Sequence, residues 1–598
     1  MNLAEQSRIK GGAFVIEDTI PAFVVVPEDF GEEQRMMADT TTAFVDREVL
    51  PHAEEIEKLD YDLTVKLLRK AGETGLLGAE VPEEYGGLGL DKVSATLIGE
   101  KLSPAASFGL SVGAHVGIGT LPIVYFGNAD QKSRYLPSLV TGEKIAAYCL
   151  TEPTSGSDAL GAKTTARLTE DGRHYVLNGS KQFITNAGFA DVFIVYAKVD
   201  GKDFSTFIVE RTMPGVSVGP EEKKMGIKGS STRPLILEDV HVPVENLLWE
   251  VGKGHLIAFN ILNIGRFKLA AGCLGTSKDA IRMSAKYANE REQFGKPISS
   301  FPLIGKKLAE MATRTYALES VVYRTAGLLD SALAEIEASA ADSGLQAAKA
   351  IAEYAIECSI NKVFASEALG FVADEGVQIH GGHGYIQDYG IERIYRDARI
   401  NRIFEGTNEV NRLLIPGTLL KRGMKGQLPL MQKLQALQAE LLGMSPAGAG
   451  LFDGPLAEEE HLIGAAKKIF LMVGGLAVQT YMTKIDDEQE ILSHLADMMI
   501  LIYAMESALL RARRKAGGSA GSAGGTSVAE QMAQVFVRES FGQIEELAKE
   551  CLAAIATGDV LRTQLSVLKK LTRQSPVNTL GLKRQIAARV IAAEAYVV

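Results

Sequence analysis

The sequence predicts a mainly α-helical protein with a central antiparallel β domain, and three observations carry that prediction. Residues 34–148 place apolar side chains three and four apart, as in DLTVKLLRKAGETGLLG, the spacing that gives a helix one apolar face. Residues 149–247 change character: β-branched and aromatic runs such as HYVLNGSKQFIT, DVFIVYAKV and FSTFIVE are separated by Gly, Pro, Asn and Asp, the pattern of strands joined by turns. From 248 to 424 helical periodicity returns, clearest in SGLQAAKAIAEYAIECSINKVFASEALGF.

These three units are framed by others. Residues 1–33 read as a Pro-containing leader, 425–455 as a Gly- and Pro-bearing linker, and 456–598 as a further helical block broken by GGSAGSAGG at 517–525, a flexible tract. The amphipathic flanks of that tract, KKIFLMVGGLAVQTYM and LADMMILIYAMESALLRARRK, predict a second helical bundle, with contact to a membrane surface as the alternative. At 598 residues the chain is too long for one core and calls for several packed units.

Composition narrows the function classes. With 46% hydrophobic and 23% charged residues the chain is globular rather than disordered. A net charge of −11 argues against non-specific nucleic-acid binding, so an anionic ligand needs a local basic patch. Cys149, Cys273, Cys358 and Cys551 show no CxxC spacing, which speaks against a disulfide framework or zinc site and for a reducing compartment. The start, MNLAEQSRIKGGAF, lacks a signal or transit pattern, so a cytoplasmic protein is expected. No run of about 18 uninterrupted apolar residues suggests a membrane-spanning helix.

Four stretches can carry chemistry, each with a plainer reading beside it. Tyr148, Leu150, Thr151, Gly156 and Ser157 lie in YCLTEPTSGSD, where small hydroxyls and a glycine offer donors to a phosphate; an N-cap and turn would look the same. Phe183, Ile184 and Thr185 end a strand, where an aromatic beside a hydroxyl can shield a flat ring or simply fill core. Arg291, Gln293 and Phe294 follow a helix and suit nucleotide contact, or cap it with a solvated Arg. Gln378, Gly381 and Gly382 bring backbone close to a ligand, ahead of Glu405 in RIFEGTNE, either a base between an aromatic and a glycine or a helix-capping carboxylate. His380 and His383 stand three apart, but the intervening glycines break the helix a metal pair needs and no third ligand follows, so no metal is expected.

In this order the motifs resemble the acyl-CoA dehydrogenase family over residues 35–420, and ASFGLSVGAH, EKKMGIKGSSTR, ILNIGRF, REQFGKPI and IFEGTNE with the helical extension resemble its very-long-chain branch. The resemblance implies a helical domain, a β-barrel-like domain and a four-helix bundle, with FAD at their junction and across a subunit interface. It implies that YCLTEPTSGS wraps the flavin, that Phe183 stands where the family usually has Trp, and that Arg291, Gln293, Phe294, Gln378, Gly381 and Gly382 meet the adenosine diphosphate from a neighbouring subunit, hence at least a dimer. Thr407 and Asn408 are further cofactor candidates. Ser157, Asn263, Gly265, Arg266, Phe404 and Gly406 are the substrate candidates, with Arg266 supplying positive charge near CoA.

Some family members carry the base beside that Arg; here the position is Gly265, which leaves Glu405. The implied reaction is α,β-dehydrogenation of a long-chain acyl-CoA, with electrons passing to electron-transferring flavoprotein. Gly109, Gly113, Gly117 and Gly119 either open a deep acyl channel or let helices pack closely. An acyl-CoA oxidase and a scaffold protein that kept the fold are the competing readings.

Overall fold

The computed structural model describes residues 9–336, 343–443, 452, 454–518 and 526–598. The N-terminal helical domain comprises α1 (Glu32–Phe44), α2 (Ala53–Glu57), α3 (Tyr61–Glu73), α4 (Lys92–Leu102), α5 (Ser107–Gly113), α6 (Leu121–Phe126) and α7 (Ala129–Thr141). Side-chain caps start several of these helices: Asp60 accepts from the Leu63 N–H at 3.0 Å, and Asn128 with Gln131 forms a reciprocal capping box on α7. Between α5 and α6 the backbone widens to π-helical geometry over Ala114–Thr120, where two glycines weaken the ordinary α-helical preference.

The sheet holds β1 (Ala146–Cys149), β2 (Thr165–Leu168), β3 (His174–Thr185), β4 (Val192–Val199), β5 (Asp203–Glu210), β6 (Val216–Val218), β7 (Thr232–Pro243) and β8 (Leu247–Leu248), in the order β6-β7-β3-β2-β4-β5-β8 with β1 also on β4. It is antiparallel-rich, but β1 and β2 both run parallel to β4. Its first strand begins at Ala146, so the β unit starts slightly before residue 149. One face of β4 is apolar and shielded, and Phe193 and Val195 from it meet Phe207 and Val209 of β5 at the centre of that core.

The bundle that follows is built from α8 (Gly254–Glu290), α9 (Pro302–Leu333), α10 (Ser343–Glu353), α11 (Ala355–His380), α12 (Ile391–Ala398) and α13 (Asn408–Met424). The extension adds α14 (Leu430–Gly443), α15 (Ala457–Tyr481), α16 (Gln489–Gly518), α17 (Val528–Ile555), α18 (Gly558–Leu571) and α19 (Thr579–Ala593). The segment expected to be a linker therefore contains a helix, α14; most of the Gly/Ser tract lies outside the described residues.

The leader is not a free tail: Ala13, Phe14 and Val15 are fully buried in the core shared by bundle and extension, where the Gly12 N–H donates to Glu357 at 2.7 Å and Phe14 packs on Tyr503. Ion pairs extend this seam, Arg324 to Glu506 at 2.6 Å and Arg511 to Glu28 at 2.9 Å. The apolar faces of α15 and α16 are covered by protein, with Ile469, Val473, Met498 and Ile502 all inaccessible, the packing of a second helical bundle. Among the described residues, three helices are long and apolar enough to cross a membrane, spanning Ser107–Phe126, Gly254–Glu290 and Ala457–Asp487. Between 61% and 72% of each apolar window is packed inside the protein, so the hydropathy is that of core helices.

Candidate functional site

Glu405 sits in a left-handed turn. Its φ is 58° and that of Gly406 is 78°; for a non-glycine residue this costs about 1 kcal/mol or more and survives only when neighbours enforce it. The enforcing contacts are specific. Arg266 Nε donates to the Glu405 carbonyl at 3.2 Å, Lys362 Nζ to the Gly406 carbonyl at 2.7 Å, and Asn411 Nδ2 to the Gly406 carbonyl at 2.9 Å. The capping alternative fails, because Thr407 caps α13 by accepting from the Val410 N–H at 3.3 Å. The Glu405 side chain points instead at α8, where a Cβ placed on Gly265 would lie 2.6 Å from Oε2.

That carboxylate is set in a low-dielectric surrounding. Oε2 is shielded from solvent and has no hydrogen-bond partner among the described residues. Burial pushes the Glu405 carboxyl up to about 7, with Arg266 and Lys362 pulling against the shift. Burial also pushes the Lys362 ammonium down to about 8.

Glu405 opens onto a cavity of about 270 Å³ that Gly265, Thr185 and Phe404 also line, with Leu77, Ile98, Leu102, Val112 and Leu121 supplying apolar wall. One face of α8 runs along it through Gly265, Leu269, Gly272, Thr276 and Asp279, a stretch of about 21 Å at about 1.5 Å per residue. The four glycines of α5 and the π-helical segment divide between the two readings. A side chain at Gly113 would meet nothing within 4 Å, whereas at Gly119 it would strike Ala146 at 2.8 Å and at Gly109 the Leu102 carbonyl at 2.8 Å. Beside the cavity, buried Glu80 takes ion pairs from both Lys92 and Lys268, which hold its carboxyl down to about 2 against burial.

The loop 150–158 meets the end of β3 beside this cavity. The Gln182 N–H donates to the Thr151 carbonyl at 2.9 Å, and buried Lys181 pairs with Glu152 at 2.7 Å while donating to the Leu150 carbonyl at 3.3 Å. A register shift between Lys181 and Ile184 on β3 bulges the strand, and Phe183, at φ 58°, is turned outward with 57% of its surface exposed. It is not core, whereas Ile184 beside it is. The Gly156 and Ser157 backbone lies at the surface. Tyr148 packs edge-on against Tyr196, and Leu150 joins the core.

The remaining motif forms a second cluster. Arg291, Gln293 and Phe294 lie past the end of α8, exposed, with Phe294 at 92%. Tyr287, one turn earlier, stacks on His380 at 4.3 Å and hydrogen-bonds His383 at 2.8 Å, which sets Gln378, Gly381 and Gly382 alongside. Both histidines are thus engaged with the Tyr287 ring. This cluster stands about 37 Å along α8 from Arg266, at about 1.5 Å per residue.

Two assigned roles change. Arg266 is only 5% exposed, and its guanidinium donates to the Glu405 carbonyl and to Asn263 Oδ1 at 3.0 Å, so these two residues brace the turn from inside and the positive charge is held beside Glu405 rather than at the surface. Asn408 is 2% exposed and bonds Lys362, Ser366 and Glu367, so it holds the turn from inside instead of facing a cofactor. Sequence reading missed Lys362, Lys181 and Glu80; the available signal was a charged residue within an otherwise apolar run, as in SINKVFAS.

Comparison with known proteins agrees with this architecture. Family models described as acyl-CoA dehydrogenase N-terminal, middle and C-terminal domains match residues 31–143, 147–240 and 252–420, and another C-terminal domain model matches 465–570. A Bacillus subtilis (strain 168) protein described as a probable acyl-CoA dehydrogenase is 58% identical over 98% of both chains. The human very long-chain specific acyl-CoA dehydrogenase, mitochondrial, is 38% identical over 74% of this chain and 69% of its own. The crystal structure of an acyl-CoA dehydrogenase complexed with FAD from Bacillus anthracis superposes with a TM-score of 0.96 at 58% identity, covering 99% of this chain and 100% of that one. With the fold, the left-handed Glu405 turn and these matches in agreement, the chain belongs to the acyl-CoA dehydrogenase family of oxidoreductases.

Proposed function

We propose that this chain binds FAD and oxidises long-chain acyl-CoA thioesters to trans-2-enoyl-CoA, with Glu405 as the base that removes the α proton. The observation that carries the reading is the unpaired, shielded Glu405 Oε2 facing Gly265 at an apolar cavity. A carboxyl pushed up to about 7 is a far stronger base than one in water, matched to work near neutral pH. The left-handed turn leaves the Glu405 side chain aimed into the cavity and fixed from behind, so little reorganisation is needed at proton transfer.

The residues present fit FAD. Exposed Phe183 and half-buried Thr185 flank the cavity on the side of the 150–158 loop, and added side chains at Gly156, Gly381 or Gly382 would meet nothing within 4 Å, leaving backbone approachable. When bound there, FAD supplies the acceptor for the β hydrogen as hydride. The separation of about 37 Å between the Arg266 and Arg291 regions supports a dimer at least, in which Arg291, Gln293, Gln378, Gly381 and Gly382 serve the dinucleotide of the partner. The reach of the cavity along α8 supports long acyl chains, and the family resemblance supports electron-transferring flavoprotein as the electron acceptor.

Glu405→Gln tests the assignment. The variant should purify yellow and folded, bind acyl-CoA, and lose more than about 10³-fold in turnover. Turnover within tenfold of wild type would remove Glu405 from the role.

A further inference from the structure

A continuous line of side chains joins the C-terminal extension to the Glu405 turn. Asp497, on extension helix α16, accepts from Arg412 Nε at 2.8 Å. Arg412, on α13, also donates to Glu367 Oε2 at 3.0 Å. Glu367 Oε1 accepts from Asn408 Nδ2 at 3.0 Å, and Asn408 Oδ1 accepts from Lys362 Nζ at 2.7 Å. Lys362 then donates to the Gly406 carbonyl at 2.7 Å. We propose that Asp497 is a positioning residue of the active site, holding the strained Glu405–Gly406 turn through Arg412, Glu367, Asn408 and Lys362. The inference rests on the reading of Glu405 as the base.

The chemistry of the line gives it one arrangement. Arg412 and Lys362 can only donate, and Asp497 and Glu367, as carboxylates, only accept. Asn408 is thereby forced to present its oxygen to Lys362 and its amide nitrogen to Glu367. Burial increases inward: Asp497, Arg412 and Glu367 are half-buried, while Asn408 and Lys362 are buried. A change at the outer end therefore acts in a partly solvated pair, and its effect is passed to a dry inner end where a misaligned donor is costly. Glu405 is faced by Arg266 from α8, Lys362 from α11 and Tyr148 from β1, Lys362 also by Cys273 and Glu409, and Asp497 by Arg412, Glu367 and His494.

The test uses the full-length, FAD-loaded enzyme with Asp497→Asn, Lys362→Met and the double variant, alongside Glu405→Gln. Asp497→Asn should keep its flavin content and melt within about 2 °C of wild type. Its kcat with hexadecanoyl-CoA should fall about 3- to 10-fold while KM stays within about twofold. Lys362→Met should lower kcat further and move the acid limb of the kcat/KM profile upward by about half a pH unit or more, because a cation beside Glu405 is gone; Lys362→Arg should restore the limb. The double variant should be no slower than Lys362→Met alone, since one line carries both effects. Should Lys362→Met not fold, Lys362→Gln takes its place in the cycle. Wild-type kcat in Asp497→Asn, or single effects that simply multiply in the double variant, would overturn the proposal. If Glu405→Gln stays active the underlying reading fails; if it is inactive while Asp497→Asn equals wild type, only the relay fails.

Discussion

Replacing Gly265 by Ala separates catalytic geometry from stability in one experiment. The added Cβ would stand 2.6 Å from Glu405 Oε2 and 2.9 Å from its Cδ. An ordinary contact begins near 3.4 Å, so the carboxylate must withdraw by about 0.8 Å, and a misplacement on that scale costs on the order of 10²-fold in rate. The colliding group is the far end of a flexible side chain, so the fold has no reason to suffer. Gly265 lies inside α8, where exchanging Gly for Ala stabilises a helix by about 0.5–1 kcal/mol. Activity and stability should therefore move in opposite directions. Stopped-flow flavin bleaching at saturating hexadecanoyl-CoA should show a reductive rate lowered about 100-fold, while the melting temperature stays level or rises slightly. An undiminished rate would show that the carboxylate does not work from the position described, and a clear drop in melting temperature would show that the site cannot absorb the methyl as argued.

Further outcomes follow from the same geometry. With the Glu405 carboxyl near 7, kcat/KM should rise with pH and level off above about 7, read from initial rates between pH 5.5 and 8.5; a profile flat across this window would contradict the assignment. The raised carboxyls of Glu405 and Glu357, both near 7, favour the protonated fold, so their stabilisation is complete below the ordinary value of 4.5 and lost as pH climbs through 7. FAD-free protein should accordingly melt at lower temperature at pH 7.5 than at pH 5.5. Gly113→Leu should fill open space in the cavity and reduce kcat/KM for sixteen-carbon acyl-CoA at least about tenfold, leaving four-carbon substrate within about twofold. Glu80→Ala leaves buried Lys92 and half-buried Lys268 without their shared carboxylate and should cost about 3 kcal/mol in denaturant unfolding.

How much of this was legible in the sequence depended on the range of the interaction. Periodicity exposed the helical and β units because each residue's face is set by neighbours three or two positions away. Glu405 was legible as a candidate from its immediate context of Phe404 and Gly406, and the family resemblance then singled it out. Its capping alternative could be settled only in three dimensions, where Thr407 takes the cap and the Glu405 side chain meets Gly265 across 140 residues of chain. Arg266 shows the opposite case. A lone arginine on a helix reads as available charge, yet its partners, Asn263 and the Glu405 carbonyl, make it an internal brace. The packing of the leader was hidden for the same reason: GGAFV gives no helical or strand period, so nothing local reveals that Phe14 packs on Tyr503 in the extension.

These long-range contacts have a common direction. The leader and the extension both close on the outer faces of the bundle, through Arg324 with Glu506 on α9, Gly12 with Glu357 and Phe364 with Phe536 on α11, and Arg412 with Asp497 on α13. The inner face of α11 carries Lys362, which fixes the Gly406 carbonyl. A helix clamped from outside by two segments distant in sequence is restrained in the translation and rotation that would otherwise move Lys362 off the turn. A left-handed glutamate needs that restraint, because its conformation is kept only as long as the donors behind it stay in place. The extension is thus better understood as outer support for the Glu405 turn than as an appended module, and the strain at Glu405 is the reason such support has something to act on.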